Sequence, residues 1–403
     1  MLKGLPDKEL DGRLKFIWYV CACGVDSAFS YALYSKYVDI YELYEAEDYD
    51  MHDLKIPDDV LRKLYDKRLE DAFELFKKCV AMDIKFYSIE DKLYPQKLKK
   101  IKDPPLLLFF KGNFPDFDKT LCAGMVGTRN MSDYGKKTAE YLAGGIASCG
   151  VIVISGLAKG IDGTCQRAAL NNGGFTVGVI GNSIDSIYPK ENAALFNKVY
   201  KYGVVISEYW PGCATYKTSF PRRNRIIAGL SDFVVVVEAP DKSGALITAS
   251  LAKRQGKLVC VPPMPLTKEN AGTASLVRGG ARMIMSVSDI LEEYEVLLPH
   301  TIPPDLPLPS LLAAEKTEVG ETKLQTRAEK EHAYNYLLDY LDEHGPVTLT
   351  QAAMDNARFS LKELMRVATE LELDGYAVRL PGGLYDAVLG DKVPAARINE
   401  NQT

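Results

Sequence analysis

Histidine is scarce in this chain: four among 403 residues, at positions 52, 300, 332 and 344. None falls between residues 84 and 290, so neither a Ser–His triad nor a histidine metal site can be built there. Two signatures of nucleotide enzymes are missing as well. No G-x-x-x-x-G-K-[ST] occurs, which disfavours a P-loop ATPase. The first glycine turn reads GTRNMS (127–132), where a dinucleotide fingerprint would read G-x-G-x-x-G. No apolar run approaches ~20 residues, so no membrane span is expected. The start, MLKGLPDKELDGRLKF, lacks the apolar core of a signal peptide. The eight cysteines, Cys21, Cys23, Cys79, Cys122, Cys149, Cys165, Cys213 and Cys260, form no C-x-x-C pair. Reduced core thiols in a cytoplasmic protein are therefore expected, with no metal and no cofactor.

What is present divides the chain. Residues 1–83 carry apolar and tyrosine positions at helical spacing, as in IWYVCACGVDSAFSYALYSKYVDIYELYEA, and suggest a small helical, SAM-like or helix-hairpin-helix bundle. Gly24 is placed to end its first helix. A DNA-binding hairpin wants two glycines in its turn. Cys23-Gly24-Val25-Asp26 has one glycine and an acid, so protein contact or scaffolding is the expectation here. Residues 84–290 alternate strands and helices. Continuous apolar runs at 121–127, 151–155, 175–181, 204–207, 233–238 and 257–263 read as parallel strands covered on both faces. Ser132 is placed to cap the helix that follows the first of them. The expectation is an α/β fold with a doubly wound, Rossmann-like parallel sheet. Residues 291–327, rich in proline and then charge, read as a linker. Residues 328–390 follow the order helix, helix, helix, hairpin, which is that of a winged helix, with Ser360 capping the third helix and a Pro-Gly-Gly turn in the hairpin. Residues 391–403 read as a tail.

Charge is unevenly spread. Residues 121–289 hold 19 Lys+Arg against 11 Asp+Glu, a local +8 inside a chain of net charge -5. A local polyanion site is expected there. Its centre is SFPRRNRIIAGLS (219–231), where Arg222, Arg223 and Arg225 crowd beside Lys217, Phe220 and Asn224. Read as a loop at a strand end, this segment should turn its guanidiniums outward, toward phosphate. Three further turns join it: Gly127-Thr128-Arg129; SGLAKGID (155–162), with Ser155, Gly156, Lys159 and Gly160; and APDKSGALITA (239–249), with Ser243, Gly244 and Thr248. Glycines at strand–helix turns let backbone N–H groups approach an anion.

Asp162, Asp185, Glu208 and Glu238 lie near these turns. Capping or pairing with basic residues is their expected role, and hydrolysis by Glu208 and Asp162 is the alternative. Core packing is expected for Trp210. Phe220 stands between core packing and stacking on an unpaired base.

These segments together resemble the DNA-processing protein A family (DprA/Smf). The likeness runs through YPQKLKKIKDPPLLLFFKGN (94–113), VGTRNMSDYG (126–135), SGLAKGID, GNSIDSIYPKEN (181–192), SFPRRNRIIAGLS, SGALITASLAKRQGKLVCVP (243–262) and GTASLVRGGARMI (272–284). It implies an extended Rossmann domain that binds single-stranded DNA, dimerises, and loads the RecA recombinase during natural transformation. By motif, it makes Arg129, Lys217, Phe220, Arg223 and Arg225 DNA contacts. The chain departs from the family pattern at Asn182, where cysteine is usual, and at Cys165-Gln166-Arg167, which lacks a common histidine. It departs again at Val261-Pro262-Pro263 and at Ala274, where asparagine is usual. A single-strand binder without enzymatic turnover is the leading reading. A nucleoside-phosphate hydrolase on a similar sheet is the alternative, although its Pro-Gly-Gly-x-Gly-Thr loop is replaced here by Asp241-Lys242-Ser243-Gly244-Ala245.

Overall fold

A computed structural model describes residues 7–25, 27–49, 54–297, 327–356, 359–374, 376–380 and 383–388. Asp26, Pro381, Gly382, most of the expected linker and the expected tail lie outside the described residues. The chain divides into two compact units, Met1–Leu312 and Ala313–Thr403.

The first unit is built on a nine-stranded sheet. Its strands are β1 (Lys85–Ser88), β2 (Leu107–Gly112), β3 (Cys122–Val126), β4 (Ile152–Ser155), β5 (Thr176–Ile180), β6 (Val204–Ser207), β7 (Phe233–Val236), β8 (Leu258–Val261) and β9 (Arg282–Met283), in the order β1-β2-β6-β5-β4-β3-β7-β8-β9. From β6 to β9 all neighbours are parallel. The six apolar runs of the sequence are β3 to β8. In β3 to β7 every residue is buried, because helices cover both faces and no alternation with water is left. The chain builds outward from β3 through β4, β5 and β6. It then crosses back to start β7 on the other side of β3, so β3 and β7 flank a topological switch point.

The sheet is mostly, not wholly, parallel. β1 and β2 are antiparallel additions at one edge, with Phe109 opposite Ser207 and Phe86 opposite Phe109. They hold the amino-terminal helices to the sheet: Phe16, Tyr19, Phe76, Phe86 and Phe109 share one continuous core with Ile206 and Ile226. Gly24 does end the helix Asp7–Cys23, with a left-handed φ of 78° and its N–H on Val20 O at 2.9 Å. The opposite face of the sheet is covered by the helices Asp133–Ser148 and Ile161–Asn171. Ser132 caps the first of these, its Oγ accepting the Gly135 N–H at 2.9 Å. None of the eight cysteines is in a disulfide, and burial raises seven of the thiols: Cys149 to about 11, Cys21, Cys23, Cys79, Cys122 and Cys260 to about 12, and Cys165 well above the usual thiol value. No helix among the described residues is long and apolar enough to cross a membrane.

The second unit runs helix Arg327–His344, β10 (Val347–Thr348), helix Leu349–Asp355, helix Leu361–Asp374, β11 (Ala377–Leu380) and β12 (Leu384–Ala387), with strand order β10-β12-β11. Leu337, Leu341, Leu364, Val367 and Leu371 form its own core. Ser360 caps its third helix reciprocally: Ser360 Oγ accepts the Glu363 N–H at 3.3 Å, and Glu363 Oε2 accepts the Ser360 N–H at 2.8 Å.

Candidate functional site

The turns after β3, β4 and β5 meet the amino-terminal end of the helix Ser219–Leu230 at one edge of the sheet. Together they line a cleft that holds Arg129, Gly156, Lys159, Phe220 and Arg223 from the residues singled out in the sequence, and also Ala158, Gly181, Asn182, Tyr188 and Pro189. It lies at the carboxyl ends of parallel strands, where open α/β sheets take ligands.

Backbone constraints shape the first two turns. Thr128 donates its N–H to Glu238 O at 2.7 Å, and Ile161 donates to Thr128 O at 3.1 Å, so the turns after β3 and β4 brace each other. Gly160 sits between them at φ 76°, where a Cβ would lie 2.3 Å from Thr128 O. Gly160→Ala would incur both the left-handed strain and that clash. It is expected to lower stability by more than ~1 kcal/mol, read as a fall in Tm. Gly127 is equally confined, a Cβ there falling 2.6 Å from Ile161. Arg129 extends from this brace into solvent. Lys159 is exposed and pairs with exposed Glu191 at 2.9 Å, a contact of little energetic weight. Ser155 is fully buried, its Oγ donating to Met125 O at 2.6 Å, so its role here is structural.

The arginine segment departs most from the sequence reading. It is a helix, not a loop, and its guanidiniums do not share one direction. The expectation that all three face outward is corrected: Arg223 and Arg225 are 6 % and 7 % exposed. Arg225 donates from Nη2 to Glu208 Oε1 at 2.7 Å and from Nε to Asp103 Oδ2 at 3.2 Å. Arg222 pairs with Asp103 at 3.0 Å and lies 3.8 Å from Glu208. Burial alone would lower the Arg225 pKa, but Glu208 and Asp103, with Tyr94, together outweigh it and the net shift is upward. One acidic partner, Asp103, thus comes from a segment remote in sequence, and the other, Glu208, from the end of β6 just upstream. The pair of carboxylates clamps the helix that carries Phe220 and Arg223.

Arg223 points the other way. Nη1 donates to Gly156 O at 3.1 Å and to Val179 O, and Nε donates to Asn224 Oδ1 at 3.2 Å. Nη2 takes part in none of these bonds, and Arg223 lines the cleft. Burial brings its pKa down to about 10, with nearby Asp162 opposing that shift and Arg129 adding to it. The guanidinium is still charged at neutral pH. Asp162, buried beneath Gly156 and accepting its N–H at 3.1 Å, is itself raised by burial, which Arg223 partly offsets.

Phe220 is half-buried at the cleft's rim and meets exposed Tyr188 at 5.4 Å between ring centroids. Gly181 lets the strand end pass directly beneath it: a Cβ there would sit 3.0 Å from Phe220 Cα. The remaining residues lie outside the cleft. Lys217 is exposed just before the helix. Asn224 is buried and donates to Gly244 O at 3.3 Å. Ser243 caps the helix Gly244–Arg254, Gly244 is exposed beside it, and Thr248 is buried on its inner face. Glu238 Oε2 accepts the N–H and hydroxyl of Ser132 at 3.0 and 3.1 Å, and Asp185 accepts the Gly212 N–H at 3.1 Å. All four acids therefore have the capping or pairing partners expected of a structural role. Trp210 is half-buried against the main core and Tyr209 is fully enclosed. Tyr188 and Asn182 were missed as site residues. Both lie in GNSIDSIYPKEN, whose place after a buried strand was the available signal.

The family model and the relatives found by sequence agree on one family. The model of DNA recombination-mediator protein A matches residues 85–295. DNA processing protein DprA of Bacillus subtilis is 43% identical over 206 residues, which is 51% of this chain and 69% of that protein. Protein Smf of Escherichia coli is 32% identical over 296 residues, 73% of this chain and 75% of its own length. The X-ray structure of DprA from Streptococcus pneumoniae aligns with a TM-score of 0.59 at 33% identity, covering 69% of this chain and 97% of that one.

Proposed function

This chain belongs to the DNA recombination-mediator protein A family, and from that premise we propose that it binds single-stranded DNA in the cleft at the ends of β3, β4 and β5. It shields the strand and passes it to the RecA recombinase in transformation or recombination, acting as a cytoplasmic homodimer and without turnover. The observation that carries the reading is the convergence of Arg129, Lys159 and Arg223 on a cleft rimmed by Phe220 and Tyr188. Cations that follow a backbone, with aromatic rings beside them, suit unpaired nucleotides, whose bases are free to stack. The carboxylates that a hydrolase would need support the binder instead. Glu208 is committed to Arg225, and Asp162 holds the Gly156 N–H.

Salt titration tests the reading. Three cations facing phosphates give a slope of roughly -2 in log affinity against log salt, so a fourfold rise in salt should weaken binding about 20-fold. Duplex of equal length should bind more weakly. A flat salt response, equal duplex affinity, or release of base or phosphate by the purified protein would each overturn it.

We read the second unit as a winged helix that does not hold DNA. Its helix Leu361–Asp374 carries Glu363, Glu370, Glu372 and Asp374 against Lys362 and Arg366, which repels phosphate. Removing residues 328–403 should leave single-strand affinity within about tenfold, ~1.4 kcal/mol. A larger loss in a titration of the truncated protein would assign that unit a direct contact.

A further inference from the structure

We propose that Asn182 reads the edge of one nucleobase in the cleft, so that binding depends on a base N–H as well as on phosphate and stacking; this rests on the single-strand reading above. Asn182 follows β5, lines the cleft beside Phe220, Tyr188 and Arg223, and is 4 % exposed. Its amide is held in one orientation. Nδ2 donates to Ser186 Oγ at 2.7 Å, to Ser186 O at 2.8 Å and to Ser183 O at 3.2 Å. Rotating the amide by half a turn would set Oδ1 against two carbonyl oxygens, so the nitrogen stays where it is. That leaves Oδ1 as the end without a hydrogen bond, and it is buried. A buried acceptor without a donor is costly, and a group that supplies one recovers the cost.

The chemistry of the missing donor is narrow. Phosphate oxygens and the deoxyribose ring offer none. A nucleobase offers a ring N–H or an exocyclic amino group. A base stacked against Phe220 is held by a π-face that all four bases share, so stacking does not discriminate among them. A hydrogen bond from a base N–H to Oδ1, buried in a residue that lines the cleft, would respond only to the edge.

Thymine tests this cleanly, because its only N–H donor is at N3. Fluorescence anisotropy would compare a thymidylate 15-mer with the same oligonucleotide N3-methylated throughout, against the full-length protein. Backbone and stacking faces are the same in both. The wild type is expected to bind the methylated strand about 3–10-fold more weakly, the range of one hydrogen bond. Asn182→Ala should bring that ratio near one while keeping the salt slope. Because Nδ2 also ties the 183–186 turn, Asn182→Cys serves as a second variant, and the wild-type comparison decides even if both variants fold poorly. Equal wild-type affinities with a normal salt slope would overturn the proposal, as would a ratio that persists unchanged in a folded variant. Failure of the wild type to bind either strand would instead overturn the single-strand reading itself.

Discussion

Replacing Arg225 with methionine should cost about 3–5 kcal/mol of folding stability, far more than a surface arginine would. The guanidinium and Glu208 are both buried, 2.7 Å apart, and Asp103 adds a second carboxylate at 3.2 Å. Removing Arg225 leaves Glu208 charged and enclosed, with its close 2.7 Å partner gone and only Arg222, at 3.8 Å, beside it. Glu208→Gln should be milder, since the amide can still accept a hydrogen bond. The double replacement Arg225→Met with Glu208→Leu should recover much of the loss, because a buried ion pair and an apolar pair of similar volume are often close in stability. Denaturant midpoints of the wild type, Arg225→Met, Glu208→Leu and the double replacement close the cycle. If Arg225→Met melts like the wild type but loses DNA, the residue is a phosphate contact and the clamp is not what holds the helix.

Phe220→Ala should separate binding from folding. The ring is half-buried at the cleft rim, and its nearest aromatic partner is the exposed Tyr188, so truncation removes little core. Stacking of one base on an aromatic ring contributes ~1–3 kcal/mol, so affinity for single strands should fall roughly 5- to 150-fold with little change in Tm. Arg223→Ala should behave differently and lose both. Its Nη1 bonds to Gly156 O and Val179 O tie the ends of two strands to the helix, and its side chain also lines the cleft. An oligothymidylate titration beside a thermal melt reads both variants. Phe220→Ala with unchanged affinity would remove stacking from the account.

The architecture of the central sheet could be read directly from the chain. Parallel strands covered on both faces cannot alternate, so β3 to β8 appear as continuous apolar runs, each ending in a turn residue suited to its geometry. Ser132 and Ser360 announced their helices because a short hydroxyl side chain before an amphipathic run satisfies N–H groups that the helix cannot. The pairing of β2 with β6 was not readable. It joins Phe109 to Ser207 across three intervening strands and their helices, and nothing local to either segment records the match. The residue types of the site were readable too, since glycines and cations at strand ends carry their meaning locally. Their division of labour was not. On a helix of 3.6 residues per turn, Arg222 and Arg225 lie about 60° apart while Arg223 is about 100° from the first and farther from the second. Once SFPRRNRIIAGL is helical, one pair must therefore turn toward Asp103 and Glu208 and the remaining arginine toward the cleft. Sequence determined which charges are present. Only the tertiary structure decided which are neutralised inside the protein and which line the cleft, because Asp103 comes from a segment distant along the chain and because the helix, once packed, sets which arginines face Asp103 and Glu208.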